Sequence, residues 1–147
     1  MLGAIGGWKI GAADPGSTPL HAPIFAQEIH RGGVTLAAKD LTGAIESWIE
    51  VGQPEERRVL KACGKADQVM IYTYSSGAAV WWKSIENKLA RAKNLQVMQI
   101  AATTSAELEK FCQRSMQLQV TIQDGEIWMR DAESAVQLQM STLKPAG

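Results

Sequence analysis

One acidic residue inside an apolar run is the strongest candidate for chemistry in this sequence. Residues 48–61 are WIEVGQPEERRVLK, and Glu50 lies among apolar residues just before Gly52-Gln53-Pro54. The apolar run predicts a buried strand, the Gly-Gln-Pro run a tight turn, and the charged run a helix that begins near Pro54. A carboxylate in a buried strand is costly unless it is paired or binds a cation. We therefore expect a site around Glu50.

Acidic and basic side chains near this turn have the types and spacing of a divalent-cation site beside a phosphate. Glu46 and Glu50 share one face of the predicted strand, because strand side chains alternate. Lys61 lies two turns into the helix, and helical side chains lean towards the helix N-terminus, which directs its ammonium towards the turn. Mg²⁺ and Mn²⁺ favour oxygen ligands and activate water for attack on phosphate. We expect Glu46 and Glu50 as metal ligands, Glu50, Gln53 and Lys61 as catalytic residues, and Arg58 and Lys61 as phosphate-binding residues.

The same spacing also fits a purely structural arrangement. Glu50 would then pair with Arg58 or Lys61 as a buried ion pair that joins the strand to the helix. His21 and His30 lie in a weakly patterned segment, and the sequence names no partner for either of them. No Gly-x-Ser-x-Gly run is present, so a serine hydrolase site is not indicated.

The elements that must position these residues follow a strand-helix order, repeated three times, and then a meander. Apolar runs predict strands at residues 44–51, 68–74 and 95–100, and amphipathic runs predict helices at residues 54–66 and from residue 78 to about residue 92. Thr104 and Glu107 have the spacing of a capping box for a third helix. Alternation over residues 116–122, the hairpin signal Asp124-Gly125 and a last strand through Val136 and Met140 complete the pattern. The predicted fold class is α/β, with a mixed sheet flanked by helices in three layers and a C-terminal antiparallel meander.

Composition narrows the class of protein further. The 147 residues carry 15 Lys and Arg against 15 Asp and Glu, so no global field attracts nucleic acid or a membrane. Residues 50–93 are mildly basic, with eight Lys or Arg against five Asp or Glu. The two cysteines form no CxxC motif, which argues against zinc, and no apolar run approaches the roughly 20 residues of a membrane span. We expect a bacterial cytoplasmic protein of one domain without a membrane partner.

Several runs of this sequence resemble the YaeQ family. They are KDLTGAIESWIEVGQPEERRVLKACGKADQVMIYTY, WW, NLQV and RSMQLQVTIQDGEIWM, between about residues 39 and 129. The resemblance implies a restriction-endonuclease-like core of the PD-(D/E)xK nuclease superfamily, in a family without an established biochemical activity. It also implies that Glu50 is the second acid of the motif, that Gly52 stands at the usual lysine position, and that Lys61 of the following helix replaces that lysine. Glu46, Gln53 and Arg58 match the family pattern as well.

The front of the chain departs from that resemblance. Members of the family have an HPSETDER-like run and an EPDLW-like run before the part that matches residue 39, and neither occurs here. We expect residues 1–38 to be weakly ordered, with short elements only at residues 24–29 and 34–36. We expect residues 39–147 to form the nuclease-like domain, and this copy to be truncated, recombined or mis-started. The expected function is a metal-dependent phosphodiesterase on nucleic acid, impaired in this copy. The alternative is a non-catalytic module that binds nucleic acid or protein.

Overall fold

The computed structural model describes residues 24–147 in two compact units, one that includes residues 24–102 with 140–147 and one that includes residues 103–139. His21 and the predicted weak order of residues 1–23 lie outside the described residues. The strands are β1 (Ile24–His30), β2 (Gly33–Lys39), β3 (Ile45–Gly52), β4 (Ala66–Thr73), β5 (Leu95–Ile100), β6 (Gln119–Gln123), β7 (Glu126–Arg130), β8 (Ala135–Gln137) and β9 (Met140–Lys144). The helices are α1 (Glu56–Lys65), α2 (Ala78–Leu89) and α3 (Ala102–Leu108), and a 3-10 turn follows at Glu109–Phe111.

The larger unit is built on a six-stranded mixed sheet in the order β1-β2-β3-β4-β5-β9. Strands β3, β4 and β5 are parallel, whereas β1, β2 and β9 pair antiparallel with their neighbours. Parallel neighbours require a crossover, and α1 and α2 supply the two that join β3 to β4 and β4 to β5. The predicted mixed α/β fold is confirmed.

Helices α1 and α2 cover the same face of this sheet. Two successive crossovers in the same direction place their helices on one side, because such connections are right-handed. One buried cluster unites residues from both helices with β4 and β5: Val59, Ala62, Ala66, Val69, Ile71, Trp82, Ile85, Leu89, Leu95 and Val97. The buried sides of the two amphipathic helices form this core together with the parallel strands β4 and β5.

The smaller unit contains the antiparallel sheet β6-β7-β8. Asp124 and Gly125 form the turn between β6 and β7, with φ values of 52° and 80°. A two-residue hairpin turn with positive φ at both positions matches the twist of the flanking strands, which is why Asp-Gly favours it. The predicted hairpin is confirmed.

Three predicted details differ in the structure. The last strand is divided, since residues 135–137 join the small sheet and Met140 begins β9 on the main sheet. Thr104 does not cap a helix, because α3 begins at Ala102 and the buried Thr104 Oγ1 accepts a hydrogen bond from the Gln139 N–H at 3.1 Å. Residues 24–38, expected to be weakly ordered apart from short elements at residues 24–29 and 34–36, supply the seven-residue strand β1 and most of the seven-residue strand β2.

None of the helices described between residues 24 and 147 combines the length and the apolar character that crossing a membrane requires.

Candidate functional site

The carboxylate of Glu50 is completely buried, and four side chains donate to it. Glu50 lies on β3 opposite Thr35 of β2, and its side chain faces the helices with a relative exposure of 0%. Its Oε1 accepts hydrogen bonds from Thr35 Oγ1 at 2.6 Å, Trp48 Nε1 at 2.7 Å and Arg58 Nε at 3.0 Å. Such close partners offset the cost of a charge away from water.

His30 contacts the second oxygen of the same carboxylate. Its Nε2 lies 2.8 Å from Glu50 Oε2, while its Nδ1 accepts the backbone N–H of Gly32 at 3.1 Å. A ring nitrogen that accepts a hydrogen bond carries no proton, so Nε2 holds the proton and donates it to Glu50. The β1–β2 hairpin therefore supplies both the imidazole and the backbone group that fixes its tautomer.

Arg58 joins this buried group to the surface. Its Nη2 donates to Glu28 Oε2 at 2.8 Å and to Thr35 Oγ1 at 2.7 Å, and its guanidinium lies 5.9 Å from the centre of the Trp48 ring. Burial opposes the charge of Arg58, but its hydrogen bonds and ion pairs with Glu28 and Glu50 outweigh burial and raise the pKa of Arg58. The hydrogen bond and charge of Arg58 hold the pKa of Glu28 below its usual value, although Glu28 is exposed. We call Glu28, His30, Thr35, Trp48, Glu50 and Arg58 the Glu50 cluster.

Two glycines bring the strands of this cluster together. Gly33 and Gly52 face each other across β2 and β3, with φ values of 139° and 132°. A Cβ atom on Gly33 would lie 2.0 Å from the carbonyl oxygen of Val51, and one on Gly52 would lie 2.2 Å from that of Gly32. Only glycine permits both this backbone conformation and this close approach. The pair therefore fixes the register that places His30 beside Glu50.

The structure separates the residues that the sequence grouped into a catalytic site. Lys61 is exposed on α1 and, among the described residues, no hydrogen bond or ion pair joins it to Glu50, although its charge helps to lower the pKa of Glu28. Gln53 donates to Ser75 Oγ in the turns after β3 and β4. Glu46 is exposed at a register shift in β3, four residues and roughly 13 Å of strand from Glu50. The residue brought to Glu50 is Arg58, as the structural alternative expected.

As arranged, these residues do not fit a divalent cation. Both oxygens of Glu50 already face hydrogen-bond donors, and a cation needs free oxygen ligands. Within residues 24–147, no group of three or more His, Cys, Asp or Glu side chains is placed to hold a metal ion. The geometry instead supports a carboxylate whose charge is balanced by Arg58 and whose contacts anchor α1 to the sheet.

A row of basic side chains lies on the exposed side of α1. Arg57, Lys61 and Lys65 follow one another at intervals of four residues, and all three are exposed. Residues four apart are neighbours on a helix surface, so the three form one line. On α2, by contrast, Lys88 pairs with Glu56 at 2.9 Å and Lys83 with Glu86 at 3.2 Å. We call Arg57, Lys61 and Lys65 the α1 basic row.

Comparison with known proteins identifies the family. The model of the family described as YaeQ protein matches residues 26–140, which include every residue of the Glu50 cluster. The chain belongs to the YaeQ family. A YaeQ protein of Salmonella typhi is 43% identical over 98 residues, which are 66% of this chain and 54% of that protein. The Escherichia coli (strain K12) YaeQ protein is 40% identical over the same shares of the two chains.

Solved structures of YaeQ proteins share the fold. The YaeQ protein of Xanthomonas axonopodis pv. citri has a TM-score of 0.70 and 34% identity, and the match covers 76% of this chain and 63% of that one. The YaeQ protein of Pseudomonas syringae has a TM-score of 0.71 at 22% identity, covering 81% and 69%, and supports the fold alone. This YaeQ chain spans about half the length of the curated relatives it matches, and those relatives are described as uncharacterised.

The prediction from the sequence did not include His30, Glu28 and Thr35 in the Glu50 cluster. His30 precedes Glu50 by twenty residues, and the two meet through the pairing of β1 with β2 and of β2 with β3. The available signal was the Arg31-Gly32-Gly33 run between two short apolar segments, which is typical of a hairpin turn.

Proposed function

We propose that this YaeQ chain is a non-catalytic nucleic-acid-binding module, in which the Glu50 cluster holds α1 so that the α1 basic row faces the ligand. The observation that carries the proposal is the division of charge on α1. Arg58 pairs with the buried carboxylate of Glu50, whereas the three side chains of the α1 basic row are exposed. The cytoplasmic location expected from the sequence is part of this proposal.

The α1 basic row has the geometry of a contact with a phosphate backbone. At about 1.5 Å of rise per residue, the row is about 12 Å long and carries one positive charge every 6 Å or so. Such contacts recognise phosphates without reading bases. Because the whole chain has a net charge of zero, the attraction is local and depends strongly on salt.

The proposal is tested by the salt dependence of binding to a labelled oligonucleotide. The logarithm of affinity falls with the logarithm of salt concentration by about 0.9 for each phosphate contact on duplex DNA, and by about 0.7 on single strands. Replacing Arg57, Lys61 and Lys65 together by Gln should therefore lower the slope by about 2 to 3, measured by fluorescence anisotropy with duplex and single-stranded DNA and RNA. The matched control is Lys83→Gln on α2, which removes an exposed, ion-paired charge and should leave the slope nearly unchanged. An affinity that does not change with salt, or a triple variant equal to the control, contradicts the proposal.

A second candidate is the metal-dependent phosphodiesterase that the resemblance to restriction-endonuclease-like PD-(D/E)xK proteins implies. One observation favours it: the Arg58 guanidinium bridges two carboxylates, Glu28 and Glu50, with His30 adjacent. Mg²⁺ or Mn²⁺ could bind these carboxylates only after Arg58 releases them. The arrangement in this structure is therefore not a catalytic one.

The second candidate is tested on Arg58→Gln, which removes the bridging charge. If the site is a suppressed metal site, Mn²⁺ or Mg²⁺ should raise the melting temperature of this variant, and the addition of Glu50→Gln should abolish that rise. Labelled DNA and RNA, incubated with each metal, report any cleavage. If neither metal changes the melting temperature of Arg58→Gln and neither leads to cleavage of the labelled DNA or RNA, the metal-dependent phosphodiesterase is excluded.

A further inference from the structure

Among the described residues, the outer edge of β6 is an open strand edge. Within residues 24–147, β6 pairs with β7 on one side and with no strand on the other. All five of its residues are exposed, including Val120 at 43% and Ile122 at 71%. Natural edge strands are usually protected from pairing by lysine, proline or a bulge, and Gln119–Gln123 contains neither residue and pairs with β7 in an unbroken register.

The hairpin geometry determines which backbone groups this edge presents. Gln123 and Glu126 flank the two-residue turn, so they form a hydrogen-bonded pair, and such pairs alternate along an antiparallel ladder. Gln119, Thr121 and Gln123 therefore direct their N–H and C=O groups towards β7. Val120 and Ile122 direct theirs outwards, where a further strand would find them.

This edge is complementary to itself. If two copies of β6 run antiparallel about a two-fold axis at Thr121, Val120 lies opposite Ile122 of the other copy, and Gln119 lies opposite Gln123. The outward groups of Val120 and Ile122 then meet in hydrogen-bonded pairs, as the ladder requires. Apolar side chains face apolar ones, amides face amides and the two hydroxyls meet on the axis, which are favourable cross-strand pairs.

The charges on β7 agree with the same arrangement. Gln119 pairs with Arg130, and Gln123 pairs with Glu126. In the two-fold register, the two outermost rows across the joined sheet each read Arg130, Gln119, then Gln123 and Glu126 of the other copy. Opposite charges therefore lie at the two ends of each of these rows, and no like charges oppose one another.

We propose that β6 pairs with β6 of a second copy of this chain, joining two three-stranded sheets into one antiparallel sheet of six strands. The apolar side chains of Val120, Ile122, Ile127, Met129 and Val136 lie on one face by strand alternation and register, and they continue across the junction. The partner is therefore identical to this chain, and the interface is isologous.

Cysteine cross-linking tests the register directly. On the two-fold axis, the Cα atoms of the two Thr121 residues form a non-hydrogen-bonded pair about 4.5 Å apart, within disulfide range. Thr121→Cys, made with Cys112→Ser because Cys112 is exposed, should form a disulfide-linked dimer under mild oxidation. Gln119→Cys and Gln123→Cys in the same background should each form no disulfide-linked dimer when oxidised alone, because four residues or roughly 13 Å separate the two copies of each cysteine. A mixture of those two variants should cross-link.

Association of the unmodified chain provides the second test. As the protein concentration is raised through the micromolar range, the mass measured by light scattering should rise from that of one copy to that of two. Thr121→Lys places two like charges opposite each other and should weaken dimerisation about fivefold, the equivalent of roughly 1 kcal/mol, and mixing with Thr121→Glu should restore it. Ser134→Lys, in the exposed turn between β7 and β8, is the matched control and should have no effect. A monomeric mass throughout, or equal cross-linking of Thr121→Cys and Gln119→Cys alone, overturns the proposal.

Discussion

Replacing Glu50 by Gln tests whether the Glu50 cluster is closed and fully paired. The amide has nearly the same size, but it offers one oxygen acceptor where the carboxylate offers two. Thr35, Trp48 and Arg58 donate to one oxygen and His30 to the other, so the new NH₂ group must face at least one buried donor. His30 cannot change tautomer to relieve the conflict without losing the hydrogen bond from the Gly32 N–H.

The expected loss of stability follows from these contacts. A buried donor left without an acceptor costs about 1–3 kcal/mol, and a bond from Arg58 that loses its charge assistance costs about 1 kcal/mol more. Glu50→Gln should therefore reduce the free energy of unfolding by about 2–4 kcal/mol, out of roughly 5–15 kcal/mol for a domain.

Urea unfolding followed by tryptophan fluorescence measures this loss, since Trp48 lies in the cluster. Glu46→Gln is the matched control, because Glu46 is an exposed acid on the same strand and should change stability by less than about 0.5 kcal/mol. If the two variants unfold at the same urea concentration with the same slope, Glu50 is not the buried, fourfold acceptor described above. In that case, contacts with Glu50 do not anchor α1 to the sheet.

Three further predictions concern pH, glycine and a buried hydroxyl. The pKa of Glu28 is lowered in the folded state, so its pair with Arg58 stabilises the fold above the usual value of 4.5 and loses this contribution as pH falls through the folded pKa. The urea midpoint of Glu28→Gln should therefore vary less with pH across that range than that of the unmodified chain, and an equal variation contradicts the assignment. Gly64→Ala, in an open helical position, should stabilise by up to about 1 kcal/mol, whereas Gly52→Ala should destabilise by more than about 2 kcal/mol in the same assay. Thr73→Val should raise the melting temperature, by the equivalent of about 1 kcal/mol, because the buried Thr73 Oγ1 has no hydrogen-bond partner among residues 24–147; a lower melting temperature would mean that the hydroxyl is bound.

Periodicity predicted the core of this chain better than its site. The apolar stripes of α1 and α2 depend on local spacing, and residues such as Val59, Ile85 and Leu89 are buried as that spacing requires. Arg58 and Lys61, however, are three residues apart on the polar side of α1, and spacing alone does not decide which one reaches Glu50. Arg58 reaches it from the first turn of the helix, where its planar guanidinium bonds to two carboxylates together.

Long-range pairing explains what the sequence could not show. His30 meets Glu50 because of the β1–β2 and β2–β3 registers, and neither register can be read from residues near Glu50. Alternation through Val136 and Met140 likewise predicted one strand, whereas the chain changes sheets between these residues. Alternation reports which side of a strand is apolar, and it does not report which neighbour the strand will join.

The pairing of Ile100 with Met140 has a consequence for how this fold can vary. The chain leaves the main sheet at the end of β5 and re-enters it at the start of β9, at positions directly opposite each other. Because opposed residues lie about 5 Å apart, a hairpin turn of two to five residues is enough to connect them. Residues 101–139 therefore have the connectivity of an insertion, which can lengthen, shrink or be exchanged while β5 and β9 remain adjacent.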